Sequence, residues 1–236
     1  METPKLAVLI DADNAQASIA VELLAEISRY GSSTIRRAYG DWTTQNLTGW
    51  KSVLLDLAIQ PIQQFRFTTG KNATDSALII DAMDLLHTGD VDGFCIVSSD
   101  SDFTRLATRL RESGHVVYGF GEKKTPKPFV AACDKFIYTE LLRVDDPVAP
   151  TPVEPDSPLK AMLFNAIDGA VREDGWAMLS AVGNLLLQAD PAFDARAYGF
   201  KKLADLAKAQ SYLEVKAVPT AEGTPTQTVF VRRSKV

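Results

Sequence analysis

Apolar runs and amphipathic stretches alternate along residues 5–138. Residues 5–10 are a nearly continuous apolar run, which is typical of a strand buried on both faces of a sheet. Residues 17–30 carry apolar side chains at helical spacing, and Gly31 ends this helical pattern. The same alternation predicts further strands at 34–39, 62–67, 94–97, 115–120 and 136–138, and further helices at 47–59, 74–86 and 102–111.

This order of elements predicts the fold of the first part of the chain. Strands that alternate with helices of about 10 to 15 residues imply right-handed βαβ crossovers and a parallel sheet. We therefore predict an α/β domain, a Rossmann-like parallel sheet with helices on both faces. In that strand order the first and fourth strands are neighbours, and ligands bind outside the carboxyl ends of the strands near this point.

A proline-rich segment at 144–158 separates this domain from the rest of the chain. It holds five prolines in fifteen residues. Proline fixes φ and lacks a backbone donor, so the segment can form neither a helix nor a central strand, and we interpret it as an extended linker. The predicted domains are therefore residues 1–143 and 159–236.

The second domain has the pattern of a small winged helix. Three helical stretches are followed by two strand-like runs, and three helices with a hairpin form the winged variant of the helix-turn-helix fold. The predicted helices are 159–171, 178–188 and 198–209, and the predicted strands are 212–218 and 226–232.

Acidic residues directly follow two strands that are predicted to be neighbours. Asp11 and Asp13 follow the first strand, and Asp100 and Asp102 follow the fourth. Asp75 lies at the start of the third predicted helix. We expect these carboxylates to lie together and to repel one another, and a hard divalent cation relieves such repulsion.

The chemistry that suits such a cluster is metal-assisted hydrolysis at phosphorus, because the ion activates a water and shields the leaving oxygen. A softer metal is not indicated. His87 and His115 lie far apart in sequence, and Cys95 and Cys133 cannot make a zinc site. No G-x-G-x-x-G follows the first strand and no Walker A sequence is present, which excludes dinucleotide-binding and P-loop classes.

Composition is that of a globular protein, with 46% hydrophobic and 23% charged residues. No apolar stretch approaches the roughly 18 to 20 residues that span a bilayer, and the N-terminus has no signal-peptide pattern. We therefore expect a cytoplasmic protein that does not bind membranes. The net charge is −5, and the acidic excess lies within residues 1–150, where a carboxylate cage lowers the charge without implying a cationic partner.

Four motifs follow one another in the first domain and span most of residues 5–140. They are Val-Leu-Ile-Asp11-Ala-Asp-Asn14, Lys71-Asn-Ala-Thr-Asp75 with Ile80-Asp81, Val97-Ser-Ser-Asp100-Ser-Asp102-Phe and Gly114-His-Val-Val-Tyr-Gly. Together, and in this order, they resemble the NYN domain, a branch of the PIN-like metal-dependent ribonuclease superfamily, in its LabA-like form. The sequence has Ser98-Ser99-Asp100 where the family often has Ser-Gly-Asp, which keeps the acid in place.

This resemblance implies an RNA-cleaving site that holds Mg²⁺ or Mn²⁺. By position in the motifs, Asp11, Asp75 and Asp100 surround the metal, and Asp102 joins them as a catalytic residue. The implied supporting residues are Asn14, Asp13 and Ser99.

The second domain resembles the OST-HTH, or LOTUS, domain through Asp174-Gly-Trp-Ala177, Phe193-Asp194 and Tyr198-Gly-Phe-Lys-Lys-Leu203. That family is associated with RNA binding and, in some members, with protein partners. Basic side chains at the catalytic edge and in this domain are candidate phosphate contacts. The candidate RNA-binding residues are Lys71, Lys123, Lys124, Lys127, Lys201, Lys202, Arg232 and Arg233.

The sequence thus predicts a metal-dependent endoribonuclease with RNA as its partner, and several alternatives stay open. The chain could be an inactive RNA-binding adaptor. It could also be a haloacid-dehalogenase-like phosphatase with Asp11 as a covalent nucleophile, although that family has Ser or Thr where the second strand here ends in Arg37-Ala-Tyr-Gly-Asp41. The sequence does not decide whether the chain is a homodimer or whether its second domain binds a protein.

Overall fold

The structure is a computed structural model that describes residues 2–65, 73–88, 90–143, 158–219 and 227–234. The chain divides into two compact units, Met1–Val144 and Asp145–Val236, and each has its own hydrophobic core. Most of the predicted linker at 144–158 lies outside the described residues. The exact domain boundaries therefore stay a prediction.

One six-stranded parallel sheet forms the centre of the first unit, with helices on both sides, as the sequence predicted. The spatial order of the strands is third, second, first, fourth, fifth and sixth. The first and fourth strands are neighbours, which confirms the expected switch point. The strands are β1 (Lys5–Asp11), β2 (Ser32–Gly40), β3 (Gln60–Gln63), β4 (Gly93–Val97), β5 (Val116–Gly121) and β6 (Lys135–Tyr138).

Five α-helices connect these strands within the described residues. A short 3₁₀ turn precedes the first helix, and another precedes the fourth. The fifth helix was not predicted from the sequence. The helices are α1 (Ala20–Ile27), α2 (Thr48–Lys51), α3 (Ala73–Thr88), α4 (Thr104–Glu112) and α5 (Lys127–Ala132).

The helix predicted at 47–59 is wrong for most of its length. Only Thr48–Lys51 is α-helical, and hydrogen-bonded turns continue the chain toward β3. Ala58 adopts a φ of 49°, a left-handed conformation that a right-handed helix cannot include. The apolar residues of this stretch are spaced as they are because Trp50 and its neighbours pack against the core. A series of turns can bury these side chains as well as a helix can.

The second unit combines three α-helices with a small antiparallel sheet. The sheet order is β7-β9-β8, and the two-residue strand β7 was not predicted. Its elements are α6 (Pro158–Ala170), β7 (Ala177–Met178), α7 (Leu179–Ala189), α8 (Leu203–Lys208), β8 (Leu213–Pro219) and β9 (Gln227–Arg233).

The third predicted helix of this unit, 198–209, begins later than expected. A 3₁₀ turn at Ala195–Tyr198 ends at Gly199, whose φ is 83°. Lys202 is the N-cap residue of α8, so Lys201 and Lys202 precede the helix rather than lie on it. This corrects their predicted location. Within the described ranges, no helix has the length and apolar character that a bilayer crossing requires.

Candidate active site

The carboxyl edge of the parallel sheet brings acids from three separate segments together. Asp11 is the last residue of β1, Asp100 follows β4, and Asp75 lies in the first turn of α3. The negative charges of Asp11, Asp100, Asp102 and Asp13 all act to raise the pKa of Asp75. The structure therefore gathers the five aspartates that the sequence singled out, and their roles stay predictions.

Asp11 is fully buried, with 0% of its surface exposed. Its Oδ2 accepts hydrogen bonds from Asn14 Nδ2 at 2.7 Å and from Ser98 Oγ at 2.8 Å. Burial raises the pKa of Asp11, while these hydrogen bonds act to lower it. Its Oδ1 is buried without a hydrogen-bond partner in the described part of the chain. A buried polar atom of this kind requires a physical explanation, and a cation bound at the site would supply one.

Asp75 is the acid most affected by its neighbours. It is 8% exposed, and burial together with the surrounding carboxylates raises its pKa to about 6. The adjacent Thr74 donates a hydrogen bond from Oγ1 to Asp13 Oδ2 at 3.0 Å. This contact joins the loop after β1 to the first turn of α3, and it holds Asp75 at the edge of the sheet.

Asp100 shapes the loop that carries the second acidic motif. Its Oδ1 accepts a hydrogen bond from the backbone nitrogen of Asp102 at 2.9 Å and caps the 3₁₀ turn Ser101–Phe103. Its own backbone nitrogen donates to Ser98 Oγ at 3.1 Å. Since Ser98 also donates to Asp11, one buried hydroxyl connects the acidic ends of β1 and β4.

Ser98 is a residue that sequence reasoning missed. It is buried directly after an apolar strand, and a hydroxyl at the buried end of a strand, two residues before an acid, is the signal that could have found it. Its predicted neighbour Ser99 does something else. Ser99 Oγ accepts a hydrogen bond from the backbone nitrogen of Glu122 at 2.9 Å, and this joins the ends of β4 and β5.

Gly121 allows these two strand ends to approach closely. A Cβ at this position would lie 2.6 Å from the Ser98 carbonyl oxygen and 2.7 Å from Thr125 Oγ1, and real Cβ atoms are not found at such distances. A small pocket opens at this point, beside the carboxyl ends of β1, β4 and β5. Its polar lining comes from Asn14, Gln16, Ser98, Ser99, Glu122 and Thr139.

The donor atoms of this site fit a hard divalent cation. As the side chains stand, no three His, Cys, Asp or Glu residues in the described part of the chain surround a common metal position. However, Asp11 Oδ1 has no hydrogen-bond partner among the described residues, and the carboxylates around Asp75 repel its charge. Mg²⁺ and Mn²⁺ prefer carboxylate oxygens. The candidate ligands are Asp11, Asp75 and Asp100.

The lysines proposed near this edge are exposed where the structure describes them, and one has an acidic partner. Lys124 forms an ion pair with Glu122 at 2.7 Å, while Lys123 is exposed and Lys127 begins α5. Lys71 lies outside the described residues. Glu122 also accepts a hydrogen bond from Gln16 at 2.9 Å, so its charge is shared within a polar network at the pocket.

The candidate RNA contacts of the second unit divide into two kinds. Lys201 and Lys202 are exposed. Arg232 pairs with Glu214, with a distance of 2.8 Å from Nε to Oε2, and Arg233 pairs with Asp168. The two arginines end β9 as predicted, but each guanidinium has an acidic partner.

A second group of side chains connects α3 to the sheet through contacts that the sequence did not reveal. Asp81 on α3 accepts hydrogen bonds from the Arg37 guanidinium and the Tyr39 hydroxyl, both on β2. Tyr39 is fully buried, and burial followed by the Asp81 contact raises its pKa. Because Asp75 lies on the same helix, this contact helps to fix the position of Asp75.

The pKa of Asp75 predicts how stability depends on pH when metal is removed. The unfolded carboxyl titrates near 3.8 and the folded one near 6, so the folded state binds more protons between these values. Asp75 therefore lowers the free energy of unfolding as pH rises from about 4 to 6. With a chelator present, we expect Asp75→Asn to be more stable than wild type by roughly 1–3 kcal/mol above pH 6, and the difference to vanish near pH 4.

Urea denaturation of both proteins at several pH values measures this difference. Comparing the two curves removes the contributions of all other carboxyl groups. An equal stability of wild type and Asp75→Asn at pH 7 would contradict the crowded, repulsive environment described for Asp75.

Two family models match the sequence. The NYN domain model matches residues 5–142, and the OST-HTH/LOTUS domain model matches residues 152–224. Together they account for both structural units. No curated protein matches the chain at a significant level.

Several solved structures are also similar to this chain. A protein of unknown function from Vibrio parahaemolyticus has a TM-score of 0.50 and 18% identity, over 61% of this chain and 95% of its own. This likeness concerns the fold alone. An uncharacterized protein from Nitrosomonas europaea is 29% identical over 40% of this chain and 90% of its own, with a TM-score of 0.30. A protein from Chromobacterium violaceum is 32% identical over 35% of this chain and 87% of its own, with a TM-score of 0.27.

Proposed function

The chain belongs to the NYN family of PIN-like nuclease domains, and from that premise we propose that it is a metal-dependent endoribonuclease. The observation that carries this proposal is the buried Oδ1 of Asp11, which has no hydrogen-bond partner among the described residues. It lies near Asp75, whose pKa is raised by burial and by four neighbouring carboxylates. Buried carboxylate oxygens normally have hydrogen-bond partners, and Asp11 satisfies this at Oδ2 only. A group of repelling carboxylates at the switch point of an α/β sheet is instead the arrangement that a hard cation and a phosphate ligand require.

In the proposed mechanism, Asp11, Asp75 and Asp100 hold Mg²⁺ or Mn²⁺. When bound there, such an ion would lower the pKa of an attacking water and would shield charge on the phosphodiester. Asn14 and Ser98 bind Oδ2 of Asp11, so they orient its carboxylate with Oδ1 left for the ion. These two hydrogen bonds fix the orientation of the buried Asp11 carboxylate before an ion binds.

Other residues position the ligands rather than bind the ion. The hydrogen bond from Thr74 to Asp13 fixes the first turn of α3, and Asp81 fixes the same helix to β2. Asp102 contributes negative charge at the site and is proposed as a further catalytic residue. Asp75 must be deprotonated to bind a cation, so we propose that the affinity for the metal weakens as the pH drops below about 6.

The second unit is proposed to recruit the RNA. It matches the OST-HTH/LOTUS domain. Its Lys201 and Lys202 are exposed and can contact phosphates, whereas Arg232 and Arg233 each have an acidic partner. Because these contacts are electrostatic, affinity for RNA should fall as salt rises.

Metal removal tests the proposed activity directly. We expect the full chain to cleave a labelled single-stranded RNA in Mg²⁺ or Mn²⁺, to lose all cleavage in EDTA, and to regain it when Mn²⁺ is added in excess. Asp100→Asn keeps an oxygen that can cap the 3₁₀ turn but loses a charged metal ligand, so its cleavage should be much slower than that of wild type.

Two results would show that this proposal is wrong. One is cleavage by the wild-type chain that is unchanged in EDTA. The other is an Asp100→Asn variant that cleaves at the wild-type rate. A wild-type chain that binds RNA but shows no metal-stimulated cleavage would support an RNA-binding adaptor instead.

A further inference from the structure

One face of the sheet in the second unit carries aromatic and cationic side chains. On β9, Val229 and Val231 pack with the hydrophobic core, and side chains alternate along a strand. Phe230 and Arg232 therefore lie on the opposite face. The antiparallel register places Met178 of β7 beside Phe230, so this face extends across more than one strand.

Lys216 of β8 completes this face. It is paired in register with Phe230, and its Nζ lies 5.4 Å from the centroid of the Phe230 ring. The same Nζ lies 4.1 Å from the centroid of the Trp176 ring, and the Arg232 guanidinium carbon lies 4.4 Å from that ring. We call Trp176, Met178, Lys216, Phe230 and Arg232 the Trp176 face.

The Trp176 face is partly exposed at every position. Flat aromatic rings next to cationic side chains are the features with which proteins bind unpaired nucleic acid, since the rings stack on bases and the cations contact the backbone. Arg232 is balanced by Glu214, whereas the ammonium of Lys216 lies over the two rings. The face thus combines a stacking surface with positive charge at its centre.

We propose that the Trp176 face binds single-stranded RNA. An unpaired base stacks on Trp176 or Phe230 and displaces the Lys216 ammonium, which then contacts a neighbouring phosphate. Stacking of a base on an aromatic ring is stronger than an exposed cation–π contact, so this exchange is favourable. The inference rests on the proposed function in that the ligand is RNA, but it does not require the chain to cleave RNA.

A second cation–aromatic group in the same unit lacks a comparable surface. The rings of Phe164 and Tyr212 meet edge to face with an interplanar angle of 85°. Arg233 covers Phe164 at 4.2 Å and is bound to Asp168, and Lys160 lies near both rings. Rings at right angles offer no continuous platform for bases, so Lys160 provides a matched control of the same chemistry.

Binding of the full chain to labelled RNA in EDTA tests this proposal without cleavage. We expect Trp176→Ala to weaken binding of an unstructured single strand about tenfold, the effect of losing one stacked base. The affinity of Trp176→Ala for an RNA duplex should differ from that of wild type by less than about twofold, because paired bases cannot stack on the Trp176 face. Lys216→Glu should weaken single-strand binding and reduce its salt dependence, whereas Lys160→Glu should leave the preference for single strands unchanged.

The outcomes separate this inference from the proposed function. If the wild-type chain binds neither the single strand nor the duplex, the proposal that this protein recruits RNA is wrong, and so is the inference about the Trp176 face. If the wild type binds single strands and Trp176→Ala and Lys216→Glu bind them equally well, only the assignment of the Trp176 face is overturned, and a protein partner becomes its better occupant. If circular dichroism shows that Trp176→Ala is unfolded, Lys216→Glu alone decides.

Discussion

Asp11→Asn is expected to lower RNA cleavage at least about 100-fold without unfolding the protein. Loss of a residue that only supports a metal ligand typically lowers metal affinity or activity about 10- to 100-fold. Asp11 is itself a proposed ligand, and its carboxylate is fully buried, so we expect a larger loss. Asn keeps the shape of the side chain and one carbonyl oxygen, but it removes the negative charge. Single-turnover cleavage of a labelled RNA in Mn²⁺ measures the change.

A measurement of metal binding accompanies this test and does not depend on activity. Ligands that bind only the folded state raise its stability, so Mn²⁺ should raise the Tm of wild type and have little effect on Asp11→Asn. In EDTA the variant should be at least as stable as wild type, because a buried charge has been removed.

Asp84→Asn is the matched control for Asp11→Asn, since Asp84 is an exposed acid of α3. It should cleave RNA and respond to Mn²⁺ as wild type does. An Asp11→Asn variant that still cleaves within a few-fold of wild type, or that is stabilised equally by Mn²⁺, would remove Asp11 from the site.

Asp81→Ala is expected to destabilise the first unit by about 2–4 kcal/mol. The substitution removes the partner of both the Arg37 guanidinium and the Tyr39 hydroxyl. Their side chains lie largely inside the protein: Arg37 is 26% exposed and Tyr39 is fully buried. A buried donor or charge that loses its partner costs more than the intact contact contributed.

Thermal unfolding measures this effect as a fall in Tm of roughly 5–10 °C for a unit of this size. Asp81→Asn, which keeps an acceptor for Tyr39, should lose less than Asp81→Ala. Asp84→Ala on the same helix should be nearly neutral. Equal, small effects of Asp81→Ala and Asp84→Ala would show that the contact does not hold α3 to β2.

The sequence was sufficient to predict the fold of the first unit because its strands are so regular. β1 and β4 lie in the centre of the sheet and are buried on both faces, so nearly every position is apolar and the pattern is unmistakable. Given parallel strands and right-handed connections, few strand orders remain. That Asp11 and Asp100 lie at the ends of neighbouring strands follows from that strand order alone.

Short and irregular elements could not be predicted in the same way. The stretch 47–59 has apolar residues at helical spacing, but most of it folds as hydrogen-bonded turns rather than as a helix. β7 has only two residues, too few to show a period. The turn at Gly199 delays α8, so Lys201 and Lys202 precede the helix. β7 exists through its pairing with the distant β9, whereas the other two segments are held by local turn hydrogen bonds that hydrophobic spacing does not reveal.

By itself, the sequence determined the α/β sheet, the edge at which its acids gather, and the presence of two domains, because hydrophobic period and strand order are local or topological properties. Only the tertiary structure decided that Ser98 bridges Asp11 and Asp100, that Asp81 holds α3 against β2, and that Trp176 lies beside Lys216 and Arg232. These contacts join residues far apart along the chain. A hydrogen bond or a ring contact depends on distances of a few ångströms, and only the packed chain sets those distances.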